Sequence, residues 1–123
     1  MPTYCVLIID DDETLTHLIE LELAELGELT IRRASDGRSG AQLAMKQPPD
    51  LILLDFEMPV MDGLDTLNWL RSNAATVHTP IVAMTAGGRH MQRCNEMISQ
   101  CDDYLPKPFS LNDLRHAIQR NLH

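Results

Sequence analysis

Cys5-Val6-Leu7-Ile8-Ile9 runs straight into Asp10-Asp11-Asp12-Glu13. Apolar residues without alternation fit a strand buried on both faces, the habit of parallel sheets. A carboxylate cluster at the end of such a strand is not a core feature, because Asp is seldom buried without a partner. The pattern recurs. Leu51-Ile52-Leu53-Leu54 ends in Asp55, and Asp103-Tyr104-Leu105-Pro106 ends in Lys107. A further buried run, Ile81-Val82-Ala83-Met84, opened by Pro80, ends in Thr85. In an open parallel sheet the C-terminal strand ends lie side by side, and ligands bind there. Carboxylates, a hydroxyl and an ammonium are therefore expected to converge on one small site, suited to a divalent cation and a phosphoryl group.

The segments between these runs have helical spacing. Residues 13–26 carry Leu15, Leu18, Ile19, Leu23 and Leu26 and close at Gly27. Residues 29–33 are more polar and read as an edge strand. Helices are expected over 37–46, stopped by Pro48-Pro49, and over 64–73, 89–100 and 111–122. Ser110 is placed to cap the last of these, with Asp113 three residues on in a capping-box arrangement. Five strands alternating with five helices predict an α/β fold, a doubly wound parallel sheet with helices on both faces and right-handed crossovers.

A chain of 123 residues is expected to form a single domain over residues 1–123. Its formal charge of −8 argues against direct nucleic-acid binding, which rests on basic side chains neutralising phosphates. No apolar run approaches a membrane span, and nothing near Met1 reads as a signal peptide. The three cysteines lack a CxxC spacing and read as reduced thiols of a cytoplasmic protein. The five histidines show no metal-ligand spacing; His17 stands apart only because its helix is expected to border the acidic site.

Asp10, Asp11 and Asp55 at adjacent strand ends would resist joint ionisation unless something neutralises them. Mg²⁺ suits such a set, since it takes oxygen ligands, typically one or two carboxylates with water and phosphate oxygens. Asp12, just before the first helix, reads instead as its cap. In the loop Phe56-Glu57-Met58-Pro59-Val60-Met61-Asp62-Gly63, Asp62-Gly63 is a turn signal. That segment by itself reads as an ordinary connection, although a backbone carbonyl from it, that of Glu57, could complete a metal site. Thr85, followed by small residues, can donate to a phosphoryl oxygen, and Lys107 can pair with one. Each is weak evidence alone; their common place at strand ends is what makes them specific.

Together these residues resemble the receiver domain of two-component response regulators. The likeness rests on Ile8-Ile9-Asp10-Asp11-Asp12, Leu54-Asp55-Phe56-Glu57-Met58-Pro59-Val60-Met61-Asp62-Gly63, Ala83-Met84-Thr85-Ala86 and Asp103-Tyr104-Leu105-Pro106-Lys107-Pro108-Phe109. It covers essentially the whole chain, and the last of these stretches is similar to receivers of hybrid histidine kinases. The resemblance implies a flavodoxin-like (βα)5 fold with strand order 2-1-3-4-5. It also implies a phosphorelay role. Asp55 would accept a phosphoryl group from the phosphohistidine of a histidine kinase or histidine phosphotransfer domain. Asp10, Asp11, Asp55 and the Glu57 carbonyl would hold Mg²⁺ (or Mn²⁺), Asp10 mostly through water. Thr85 and Lys107 would contact the phosphoryl oxygens. Tyr104 would be the switch aromatic, read out by the surface of the fourth helix, last strand and fifth helix. The domain would be a signalling module rather than an enzyme, catalysing only its own phosphotransfer and dephosphorylation and passing the signal to an output partner or domain. Glu57 and Gly87 occupy positions that vary in the family and influence loss of the phosphoryl group. Gln100 stands where the family usually has glycine. The phosphodonor would dock near the first helix, at Leu15, Leu18 and Ile19.

Two other readings use the same residues. Asp10-x-Asp12-x-Thr14 after a strand also resembles the first motif of haloacid-dehalogenase-type phosphatases, with Asp10 as nucleophile, but no acidic metal ligands follow Lys107 at a strand end. A receiver-like interaction module that is never phosphorylated would not need the complete residue set. An EF-hand loop fails, because its glycine position holds Leu15.

Overall fold

The computed structural model describes residues 3–86 and 91–122. Strands β1 (Tyr4–Ile9), β2 (Leu29–Ala34), β3 (Leu51–Asp55), β4 (Ile81–Thr85) and β5 (Asp103–Pro106) alternate with helices α1 (Glu13–Ala24), α2 (Gly37–Lys46), α3 (Gly63–Arg71), α4 (Met91–Gln100) and α5 (Leu111–Asn121). All strand pairs are parallel, in the order β2-β1-β3-β4-β5. The expected fold, α/β and flavodoxin-like, is the one observed.

Strand alternation divides the core. Leu7, Ile9, Ile52, Leu54, Ile81 and Ala83 point to one face and pack with α2, α3 and α4. Val6, Ile8, Leu51, Leu53, Val82 and Met84 point to the other and pack with Ile19 and Leu23 of α1 and Leu114, Ala117 and Ile118 of α5. This explains the unbroken apolar runs of β1, β3 and β4, in which every inward position on both faces is covered. β2, at the edge, is only partly buried, as its polar content implies.

The caps follow the expected chemistry. Asp12 accepts from the Leu15 amide at 3.0 Å and starts α1. Ser110 and Asp113 form a reciprocal capping box on α5. Asp36 accepts from the Ser39 amide at 2.7 Å and starts α2, a cap that apolar spacing alone does not reveal. α1 ends two residues sooner than expected, and Gly27 follows with φ +72°, a conformation L side chains avoid.

Two sequence expectations need correction. Asp62-Gly63 is not a turn: Asp62 is the N-cap of α3, accepting from the Asp65 amide at 3.0 Å, and Gly63 is the first helical residue. Glycine is required there by close approach, because a Cβ would lie 2.5 Å from the Asp55 carbonyl oxygen and 2.8 Å from the Met97 methyl. Ile19, expected on a docking face, is 2% exposed and belongs to the core, whereas Leu18 and Leu21 are exposed. Gln100, in place of the family's usual glycine, is helical. It ends α4 in ordinary helical geometry, and the Cys101 amide donates a hydrogen bond to the Met97 carbonyl at 3.0 Å. Gly87 and Gly88, expected to loosen the start of α4, lie outside the described residues, as do His90 and His123.

Candidate functional site

Register assembles the site. Ile9 pairs with Leu54, so Asp10 emerges beside Asp55. Asp55 pairs with Met84, so Thr85 stands one residue further out. Thr85 pairs with Pro106, and its carbonyl accepts from the Lys107 amide at 2.6 Å. Four neighbouring strand ends thus carry Asp10, Asp55, Thr85 and Lys107. The order reverses between β1 and β3, the topological switch point at which open α/β sheets bind ligands.

Asp10, Asp11 and Asp55 each bring one carboxylate oxygen within 4.8 Å of the others. Asp10 and Asp55 are buried, while Asp11 is exposed. The Lys107 ammonium donates to Asp10 Oδ2 at 3.0 Å and to Asp55 Oδ1 at 3.1 Å. The Asp12 amide donates to Asp10 Oδ1 at 2.9 Å, so both Asp10 oxygens have donors. The direct pairing of Lys107 with the two carboxylates was not legible in the sequence, which indicated only that they share an edge.

Burial pushes the Asp55 carboxyl up to about 7, and the neighbouring Asp10 charge adds to this against the opposing pull of Lys107. Burial works against charge on Lys107, yet Asp55 and Asp10 hold its pKa above the ordinary lysine value. The site is therefore under-neutralised: one ammonium serves three clustered carboxylates. A hard divalent cation with oxygen ligands fits this donor set.

Asp11 and Glu57 face an open cleft of about 450 Å³, lined also by Phe56, Met58, Pro59, Val60, Asp62 and Asp65. Thr85 is buried at the sheet edge. Tyr104 on β5 is 49% exposed, so its ring is not packed inward. The His17 imidazole lies 3.9 Å from Glu20, one turn along the same helix.

The loop over the cleft holds an unusual residue. Val60 has φ +68°, and the Met61 amide donates to the Pro59 carbonyl at 2.7 Å, closing a tight turn about it. A β-branched side chain is strained in this region, and Val60 is fully exposed, so it gains no packing. Val60→Gly is expected to raise stability by about 0.5–1 kcal/mol, after allowing for the greater freedom of glycine in the unfolded chain. Urea denaturation would read this as a higher midpoint; a lower midpoint would show that the turn is unstrained.

Comparison with known proteins agrees with the geometry. The family model for the response regulator receiver domain matches residues 6–119. The chain belongs to that family, the receiver class of two-component signalling. Hybrid signal transduction histidine kinase G of Dictyostelium discoideum is 38% identical over 117 residues, covering 94% of this chain and 3% of that protein. Transcriptional regulatory protein CpxR of Escherichia coli (strain K12) is 39% identical over 109 residues, covering 89% of this chain and 45% of that protein. The chain thus spans less than half the length of these curated relatives. Among solved structures, the receiver domain of sensor histidine kinase PA1611 from Pseudomonas aeruginosa PAO1 has a magnesium ion coordinated in its active site cleft. It matches with TM-score 0.86 and 30% identity, covering 96% of each chain. Chemotaxis protein CheY4 of Vibrio cholerae matches with TM-score 0.86 and 28% identity over 98% of this chain and 99% of its own.

Proposed function

We propose that Asp55 is the phosphoacceptor of this receiver. One Asp55 oxygen attacks the phosphorus of a phosphohistidine; the N–P bond breaks, the O–P bond forms, and an acyl phosphate results. The observation that carries this reading is the placement of Asp55 between Asp10, Asp11 and the Lys107 ammonium at the switch point. Asp11, Asp55 and the Glu57 carbonyl would hold Mg²⁺, with Asp10 acting mostly through water; Mn²⁺ is an alternative ion of similar preference. The ion would supply positive charge next to the transferring phosphoryl oxygens. Lys107 supplies a second positive charge, and the Thr85 hydroxyl a donor, where negative charge is spread in the transition state. Once Thr85 is drawn to the phosphoryl group, Tyr104 can move inward, and the α4-β5-α5 surface passes the signal to an output partner.

The donor's docking face is α1. Leu18 and Leu21 lie one helical turn apart, and both are more than half exposed. Free Cys5, Cys94 and Cys101 fit a reducing, cytoplasmic setting. No helix among the described residues is long and apolar enough to cross a membrane.

The test pairs two phosphodonors. Acetyl phosphate with Mg²⁺ should label the protein and shift the amide resonances of β4, α4 and β5. Leu18→Glu should leave that labelling intact while slowing transfer from a phosphohistidine protein. Absence of any Mg²⁺-dependent labelling or shift would favour the unphosphorylated interaction module.

A further inference from the structure

Among the described residues of α4, only Cys94 and Met97 are buried, against five residues in α3 and four in α5. So few apolar anchors make α4 easy to displace from the sheet. A polar grip compensates. The Arg93 guanidinium donates to both oxygens of Asp62, from Nε to Oδ2 at 2.9 Å and from Nη2 to Oδ1 at 3.0 Å. Nη2 also donates to Asp65 Oδ1 at 3.0 Å. This two-pronged fork is the strong form of an arginine–carboxylate contact. The Asp62 carboxyl, which burial alone would push up, is held below the ordinary carboxylate value by this partner and by the backbone amides it caps.

The carboxylate that Arg93 grips is the α3 N-cap, at the end of the loop that leaves Asp55. Next to it, the Gly63 amide donates to the Phe56 carbonyl at 2.8 Å and closes that loop. Gly63 is wedged between the Asp55 carbonyl and the Met97 methyl of α4. Cys94, beside Arg93 on α4, has the Thr85 hydroxyl for a neighbour. The fork therefore joins α4 to the end of the acceptor loop, and the next residue of α4 lies by the end of β4.

We propose that Arg93 is a latch, gripping Asp62 and Asp65 to hold α4 in its resting position, and that phosphorylation of the site works against this latch. The proposal rests on the receiver reading above and adds the element that sets the resting bias. Arg93 and Asp65 are each more than two-fifths exposed, so the latch is weak enough to be opened by a ligand. If the latch favours the resting state, removing it raises the population of the active state. A ligand that prefers the active state then binds more tightly in proportion.

The test is calorimetric titration of the whole chain with beryllofluoride, a phosphoryl mimic, in saturating Mg²⁺. Arg93→Ala should tighten beryllofluoride binding by roughly threefold or more, a modest allosteric coupling. Arg93→Lys keeps the charge but loses the fork and should tighten it too. Asp65→Ala removes one bond of three and leaves the Asp62 cap in place, should shift affinity less in the same direction, and provides the test if Arg93→Ala fails to fold. Mg²⁺ alone, at about 0.15 M salt, should bind Arg93→Ala and Arg93→Lys within roughly twofold of wild type, since Arg93 touches no proposed ligand. Unchanged or weaker beryllofluoride binding in the folded variants would overturn the latch while leaving the receiver reading intact. Failure of the wild type itself to bind beryllofluoride with Mg²⁺ would overturn both.

Discussion

Asp55→Asn should abolish covalent phosphoryl incorporation, a loss on the order of a thousandfold or more, as for removal of other enzyme nucleophiles. The amide keeps the shape of the carboxylate but lacks the anionic oxygen that attacks phosphorus. Its surroundings are expected to survive, because Lys107 keeps its 3.0 Å bond to Asp10 and the Asp12 amide keeps its bond to the same residue. The measurement is labelling with acetyl phosphate and Mg²⁺, followed by borohydride reduction of the acyl phosphate and identification of the modified residue. Wild type should carry the modification at Asp55 and Asp55→Asn none. Modification at Asp10 in wild type would overturn the assignment and return the chain to the phosphatase reading. The geometry weighs against that outcome: both Asp10 oxygens already accept hydrogen bonds.

Without metal, the protein should lose stability as pH rises from about 4 to about 7. Burial pushes the Asp55 carboxyl up to about 7 in the folded state, well above the ordinary aspartate value. A raised pKa means that the folded state holds this proton more tightly than the unfolded chain. The stability that the proton contributes is fully present below the unfolded value and is lost as pH climbs through about 7. One unit is worth about 1.4 kcal/mol, so the effect is on the order of 2–4 kcal/mol, with the lower part reflecting the shared charge of Asp10 and Lys107. Asp55→Asn cannot titrate there. It should flatten the profile and be the more stable protein above pH 7 in chelator. Mg²⁺ should reverse the trend for wild type, because it binds the ionised folded site. Urea denaturation in chelator from pH 4 to 8 is the check. Coincident profiles for the two proteins would show that burial of Asp55 has no such cost.

Much of this architecture is legible in the chain because strand and cap signals are local. A continuous apolar run marks a strand covered on both faces, and the residue after it is placed at the sheet edge. Asp12 and Ser110 announce helix starts by side chains that reach only three residues on. Helix phase is less secure. Leu18, Ile19 and Leu21 are all apolar, and only the sheet beneath α1 decides that Ile19 faces inward. Asp62-Gly63 has turn composition, yet the close passage of the Asp55 carbonyl is what demands glycine at the first position of α3. The Arg93 fork had no local signal at all, since it joins residues 31 and 28 apart in sequence.

Which groups stand at the strand ends, and in what order, can be read from the chain, because an apolar run of fixed length dictates where it leaves the sheet. How those groups act on one another depends on contacts that exist in the folded state alone. Lys107 reaches Asp10 across 97 residues and Asp55 across 52. The shift of the Asp55 carboxyl to about 7 arises from burial by neighbours on several elements. Charge strength depends on the surrounding dielectric and on distances of a few ångströms, and folding alone sets both.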